Sequence, residues 1–200
     1  MKTAIIIFPG SNCDNEMERF LLSIFDTVPV RVWHKEEKLP DADLYVLPGG
    51  FSYGDYIRSG VLASMSPLMQ DLKVAVDDGK RVLGVCNGFQ ILCEIGLLPG
   101  TLRTNESGKF ICKPVQIEDC HLTERLTIPI AHGEGNYLPL DPAYTPAFRY
   151  TENVNGSLDN IAGLYNDKGT VLGMMPHPER AFEKYHVSQY GPKSIWKLMC

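Results

Sequence analysis

Cys86 stands between a short apolar run, Arg81-Val82-Leu83-Gly84-Val85, and an apolar-periodic segment that continues to Gly96. A strand that stops at a cysteine and turns sharply into a helix presents the sulfur at the helix N-terminus. There the helix dipole and the unpaired backbone N–H groups favour the thiolate, the reactive form. Gly84 and Gly88 permit the close backbone contacts such an elbow demands. The pattern reads as a cysteine nucleophile. Cys13, Cys93, Cys112, Cys120 and Cys200 lack this setting and read as small buried hydrophobes.

A nucleophilic thiol needs a base, and Met175-Pro176-His177-Pro178-Glu179-Arg180 offers one. It follows the apolar run 170–175, which has the length of a strand. Pro176 and Pro178 lack backbone N–H groups and end any ladder, so His177 falls just past the strand. Glu179, two residues on, can bend back to accept the proton of one imidazole nitrogen and leave the other free as a base. The alternative is that Glu179 only pairs with Arg180 on a solvated turn.

A third segment, Asp43-Leu44-Tyr45-Val46-Leu47-Pro48-Gly49-Gly50-Phe51, reads as a strand entering a glycine loop. In a parallel sheet the strand C-termini share one edge, so this loop and Cys86 are expected on the same side. Backbone N–H groups of the loop and of Asn87 can then converge on an oxyanion.

These three segments together resemble the class I, triad-type glutamine amidotransferases. Phe8-Pro9-Gly10-Ser11-Asn12-Cys13-Asp14, Gly49-Gly50-Phe51-Ser52-Tyr53-Gly54-Asp55 and Ile130-Ala131-His132-Gly133-Glu134-Gly135 narrow the likeness. They are similar to the glutaminase subunits of phosphoribosylformylglycinamidine synthase, a purine-biosynthesis family, over nearly the whole chain. The resemblance implies an enzyme that hydrolyses glutamine to glutamate and ammonia through Cys86, His177 and Glu179, by way of a glutamyl thioester. It further implies that Gly50 and Asn87 hold the oxyanion and that Gln90 faces the substrate; the residues alone leave Gln90 equally a helix-surface residue. The implied partners are a large synthase subunit, which uses ATP, with Mg, on formylglycinamide ribonucleotide, and a small accessory subunit. No cofactor is expected in this chain, which carries no GxxxxGK[ST] phosphate loop.

Composition fits that reading. A length of 200 residues, 44% apolar and 22% charged, suits one soluble domain, and 200 residues leave no room for a fused synthase. The net charge of −5 argues against a general nucleic-acid binder. The apolar start, Ala4 to Phe8, is too short for a signal-peptide core or a membrane span. The six cysteines are scattered without CxxC spacing, so reduced thiols of a cytoplasmic protein are expected, with neither disulfides nor a zinc site.

The elements that must position these groups alternate at first. Residues 3–8 read as a buried strand and 13–26 as a helix, capped by Ser11 or Asn12, with Met17, Phe20, Leu21, Ile24 and Phe25 at helical spacing. Strands near 29–33 and 43–47, helical material over 58–79, a strand at 81–85 and a helix at 88–95 follow. From about residue 109 the chain turns strand-rich, at 110–118, 126–131, 148–151, 161–165 and 170–175. One α/β domain over 1–200 is expected, a mostly parallel sheet with helices on both faces and an added antiparallel portion, the flavodoxin-like fold of class I glutamine amidotransferases. The strand order is left open.

Arg58, Arg103 and Asn105 read as loop residues, more suited to structural pairing than to substrate. The resemblance places His132 near the glutamine pocket or a partner interface. His34, His121 and His186 carry no supporting pattern. Two rivals stay open: a sister cysteine hydrolase acting on peptides or γ-glutamyl amides, and a non-catalytic protein that keeps the fold.

Overall fold

The computed structural model describes residues 1–121, 125–140 and 143–181. Its first half is built from βα units. Strand β1 (Thr3–Ile7), an apolar run buried on both faces, lies between β2 (Val30–Trp33) and β3 (Leu44–Leu47), and β3 pairs with β4 (Arg81–Val85). Helix α1 (Asp14–Phe25) joins β1 to β2. Helices α2 (Val61–Ser64) and α3 (Leu68–Asp77) join β3 to β4, and α4 (Asn87–Glu94) follows β4. The steps β1 to β2 and β3 to β4 run in opposite directions across the sheet. Right-handed crossovers therefore put α1 on one face and α2 and α3 on the other.

The helical stretch expected over 58–79 is two helices, because Pro67 starts a new one and cannot extend the old. The cap expected from Ser11 or Asn12 is instead Cys13, with no side-chain cap bond. The Ser11 hydroxyl turns back to accept the N–H of Phe8.

The second half adds β5 (Thr101–Arg103), β6 (Ile111–Asp119), β7 (Arg125–His132), β8 (Asn136–Leu138), β9 (Thr145–Tyr150), β10 (Ile161–Tyr165) and β11 (Val171–Met174). Strands β5 and β8 form a small separate ladder that the sequence pattern does not announce, since three residues are too few to show alternation. The main sheet runs β2-β1-β3-β4-β11-β10-β9-β6-β7. Its five strands from β2 to β11 are parallel and its remaining pairings antiparallel. The strand order 2-1-3-4-11 of the parallel part is that of a flavodoxin-like sheet.

Two consequences position the site. The C-terminal ends of β1, β3, β4 and β11 share one edge, which gathers the loops beginning at Phe8, Pro48, Cys86 and Met175. The second consequence concerns β7. Strand β6 meets β9 only through Ile117–Asp119, while the β6–β7 ladder extends back to Ile111 and His132. The free length of this hairpin folds back over the site: Pro129 of β7 accepts the N–H of His177 at 2.9 Å. The strand farthest away in ladder order is thus adjacent in space.

Candidate active site

Cys86 is the residue between β4 and α4, with φ 50° and ψ −104°. For a residue with a Cβ, such a backbone costs on the order of 1–3 kcal/mol and persists only where packing imposes it. Here the packing is glycine on glycine. Gly84 of β4 and Gly173 of β11 are register partners. A Cβ at Gly84 would meet the Gly88 backbone at 2.7 Å, and one at Gly173 would meet Phe89 at 2.3 Å. Gly88 in turn lies against the carbonyl of Leu47. Helix α4 therefore sits low on β3, β4 and β11, and the chain must turn abruptly at Cys86 to enter it.

Asn87, the first residue of α4, has a backbone N–H with no intrahelical acceptor. Its side-chain oxygen accepts the N–H of Ser52 at 3.3 Å, which ties the glycine loop to the helix start. Gly50 and Cys86 line one pocket, a cavity of about 190 Å³. Gln90 lines it too, but its amide is engaged: Nε2 donates to the Glu134 carbonyl at 2.7 Å and Oε1 accepts from Asn87 at 2.9 Å.

His177 and Glu179 are 2% and 1% exposed. The imidazole Nδ1–H donates to Glu179 Oε1 at 2.6 Å, the bend-back that the His-Pro-Glu spacing allows. The pairing of Glu179 with Arg180 alone is thereby replaced; Arg180 donates instead to the Cys13 sulfur at 3.1 Å. His177 Nε2 and Glu179 Oε2 are buried with no hydrogen-bond partner. Burial opposes charge on His177, but the Glu179 carboxylate, the Cys86 thiol and the Cys13 thiol outweigh it and hold the ring's pKa well above its ordinary value. The Cys86 sulfur also lies 3.7 Å from the carbonyl of Ala131 on β7.

The part played by Cys13 is not foreseen from the sequence. Its sulfur is 3.9 Å from His177 Nδ1, and the ligand atoms of Cys13, His177 and Glu179 lie within 4.8 Å of one another. One small ion would fit that group geometrically. Its atoms are already engaged, with Nδ1 held by Glu179 and the sulfur by Arg180.

The remaining expected residues separate. His132 is buried on the pocket wall; its Nδ1–H donates to Asn105 Oδ1 at 3.0 Å. Asn105 is no ordinary loop residue: its amide also donates to the carbonyls of Lys109 and His132 and accepts the N–H of Gly135. Arg58 pairs with Glu94 at 2.6 Å, and Arg103 lies on β5 rather than in a loop. His34 is buried among Phe8, Trp33 and Tyr53, and His121 is exposed. His186 and Cys200 lie outside the described residues; the five described cysteines are unpaired. Among the described residues, no helix is long and apolar enough to cross a membrane.

Comparison with known proteins identifies the family and the fold. The family model for the CobB/CobQ-like glutamine amidotransferase domain matches residues 1–141 and 137–199. The chain is 46% identical over 217 aligned positions to "Phosphoribosylformylglycinamidine synthase subunit PurQ" of Zymomonas mobilis subsp. mobilis, covering 100% of this chain and 98% of that protein. It resembles a chain in the "Structure of PurLQS from Thermotoga maritima" with a TM-score of 0.92 and 40% identity, covering 99% and 96% of the two chains. A glutamine amidotransferase from Thermotoga maritima, at 18% identity and a TM-score of 0.63, shares the fold over 90% of this chain and 76% of its own.

Proposed function

The chain belongs to the CobB/CobQ-like glutamine amidotransferase domain family, and from that premise we propose that it is a glutaminase that supplies ammonia to a purine-pathway synthase. Cys86, as thiolate, attacks the side-chain carboxamide carbon of glutamine. The backbone N–H groups of Gly50 and Asn87 receive the oxyanion that forms. His177 delivers its Nε2 proton to the departing nitrogen, the C–N bond breaks, and ammonia leaves a glutamyl thioester on Cys86. Neutral His177 then takes a proton from water, which attacks the thioester and releases glutamate and the Cys86 thiolate. Glu179 holds the ring by Nδ1 throughout, so the nitrogen left for chemistry is Nε2.

The observation that carries this reading is the pairing of a cysteine at φ 50° with a buried histidine whose Nδ1 is tied to a carboxylate and whose Nε2 is unpartnered. The cysteine-hydrolase and non-catalytic alternatives draw no comparable support from the family match. The acceptor reading rests on the relatives: one is named as PurQ of phosphoribosylformylglycinamidine synthase, and one belongs to a structure named PurLQS. On that basis ammonia passes to a large subunit that converts formylglycinamide ribonucleotide to formylglycinamidine ribonucleotide with ATP and Mg, beside a small accessory subunit. This chain contributes no cofactor, and its place is the cytoplasm.

The test is labelling with a glutamine-like electrophile, with and without excess glutamine, followed by mass mapping. Selective modification of Cys86, blocked by glutamine, is the expected result. Unprotected labelling spread over several cysteines, persisting when the synthase subunit is present, would sink the reading.

A further inference from the structure

The pocket that opens on Cys86 is lined by two carboxylates, Asp55 and Glu134, and by no lysine or arginine among the described residues. Both carboxylates converge on Ser59, whose N–H donates to Glu134 Oε2 at 3.3 Å and whose side chain hydrogen-bonds Asp55. One oxygen of Asp55, Oδ1, is buried and has no hydrogen-bond partner. Arg58, the nearest cation along the chain, is held by Glu94. His132, on the same wall, stays neutral, because burial and the nearby His177 lower its pKa to about 4. An unpartnered carboxylate oxygen in a cavity to which the described residues bring no cation is suited to a cation from outside.

Two further observations show that this arrangement is built rather than incidental. The loop carrying Asp55 holds Tyr53, Asp55 and Ile57 at φ 55°, 54° and 72°. For the β-branched Ile57 that is a strained backbone, of the kind that persists only where surrounding structure imposes it. On the other wall, the backbone carbonyl of Glu134 is anchored by Gln90, one helical turn beyond Cys86. The carboxylate pair is thereby held in register with the nucleophile's own helix.

We propose that Asp55, assisted by Glu134, receives the α-ammonium group of the glutamine substrate and makes the pocket selective for an amino acid over an amide of the same length that lacks the amine. This rests on the glutaminase reading above. The ammonium group donates to the free Asp55 oxygen and offsets the mutual repulsion of the two carboxylates. Burial raises the Asp55 pKa, the Ser59 hydrogen bond partly reverses that, and Glu134's charge raises it again. A bound ammonium acts in the opposite direction and keeps Asp55 ionised.

The experiment compares ammonia release from L-glutamine and from glutaramate, which is glutamine without its α-amine, using the full chain with its synthase subunits. The wild type is expected to favour glutamine by at least about 100-fold in kcat/KM, since a site built for a polar group rejects the analogue lacking it. In Asp55→Asn, kcat/KM for glutamine should fall about 100-fold, mainly through KM, while glutaramate turnover stays unchanged. Glu134→Gln should shift the ratio in the same direction by a smaller factor. It also serves as the test if Asp55→Asn fails to fold, as judged by lost iodoacetamide labelling of Cys86. Equal losses for both amides would overturn the proposal in favour of a structural role. An unchanged ratio with lost binding of the synthase would overturn it in favour of a partner's cation. If the wild type releases ammonia from neither amide, the glutaminase reading fails first and takes this proposal with it.

Discussion

The sulfur of Cys13 lies 3.9 Å from Nδ1 of His177, the nitrogen that Glu179 already holds. Arg180 donates to the same sulfur at 3.1 Å, and Gly49 packs over both, so that a Cβ there would meet His177 at 2.6 Å and Cys13 at 3.1 Å. The imidazole is thus held on its Nδ1 side by a carboxylate, a thiol and a glycine backbone. Cys13→Ala removes the sulfur from both His177 and Arg180. We expect kcat to drop about 10-fold through looser ring placement, with Cys13→Ser less affected. Because Cys13 helps to raise the His177 pKa, the limb of the pH–rate profile that reports His177 should move to lower pH. An unmoved limb would show that Cys13 acts by packing alone.

Glu179→Gln keeps the shape but replaces an acceptor-only carboxylate with an amide that must be turned correctly to accept from Nδ1. By analogy with triads whose acid is so replaced, kcat should fall by about 10²- to 10⁴-fold. The electrophile should still reach Cys86, more slowly. Steady-state kinetics and mass-mapped labelling on one preparation read both effects.

Gly84→Ala drives a methyl group to 2.7 Å from the Gly88 backbone, which cannot yield as a side-chain tip would. Overpacking of this kind costs about 1–3 kcal/mol. Lifting α4 also relaxes the turn that fixes Cys86. The urea midpoint should fall, and Cys86 labelling should slow more than global stability accounts for.

His132 and His177 are buried side by side and act on stability with opposite sign. His132 is lowered to about 4 by burial and then by the charge of His177, against about 6.5 unfolded. Below pH 6.5 the unfolded chain binds a proton at this position that the folded chain refuses. Stability therefore falls from pH 6.5 toward 4, by at most about 3 kcal/mol. The raised pKa of His177 stabilises the fold fully below 6.5, and that contribution is lost as pH rises through the folded value. Urea unfolding at pH 7, 6 and 5 should show His132→Gln losing less stability on acidification than the wild type. Parallel curves would contradict the burial of a neutral His132.

The local parts of the site were legible because they depend on chain geometry within a few residues. A strand of five residues followed by Cys86-Asn87-Gly88 turns at once into a helix. His177-Pro178-Glu179 lets the carboxylate reach the ring across a single proline. The strands 3–7, 44–47, 81–85, 111–119 and 161–165 follow the runs read for them to within about two residues, the usual fraying of strand ends. Less visible were α2 and α3 as separate helices, and the ladder of β5 with β8, where the segments are too short to carry a period.

By itself, then, the sequence determined which residues stand at strand ends, and in an α/β sheet that decides which of them share an edge. Only the tertiary structure decided what closes over that edge. Cys13 and His177 are 164 positions apart, and β7 comes last in ladder order yet supplies the carbonyls of Pro129 and Ala131 to His177 and Cys86. Asp55 and Glu134 meet only at Ser59, because one loop is strained inward and the β6–β7 hairpin folds back. Periodicity records which face of an element is buried. It holds no term for the partner a buried polar atom finds once the hairpin has closed, and that choice is made by hydrogen-bond satisfaction in the folded chain.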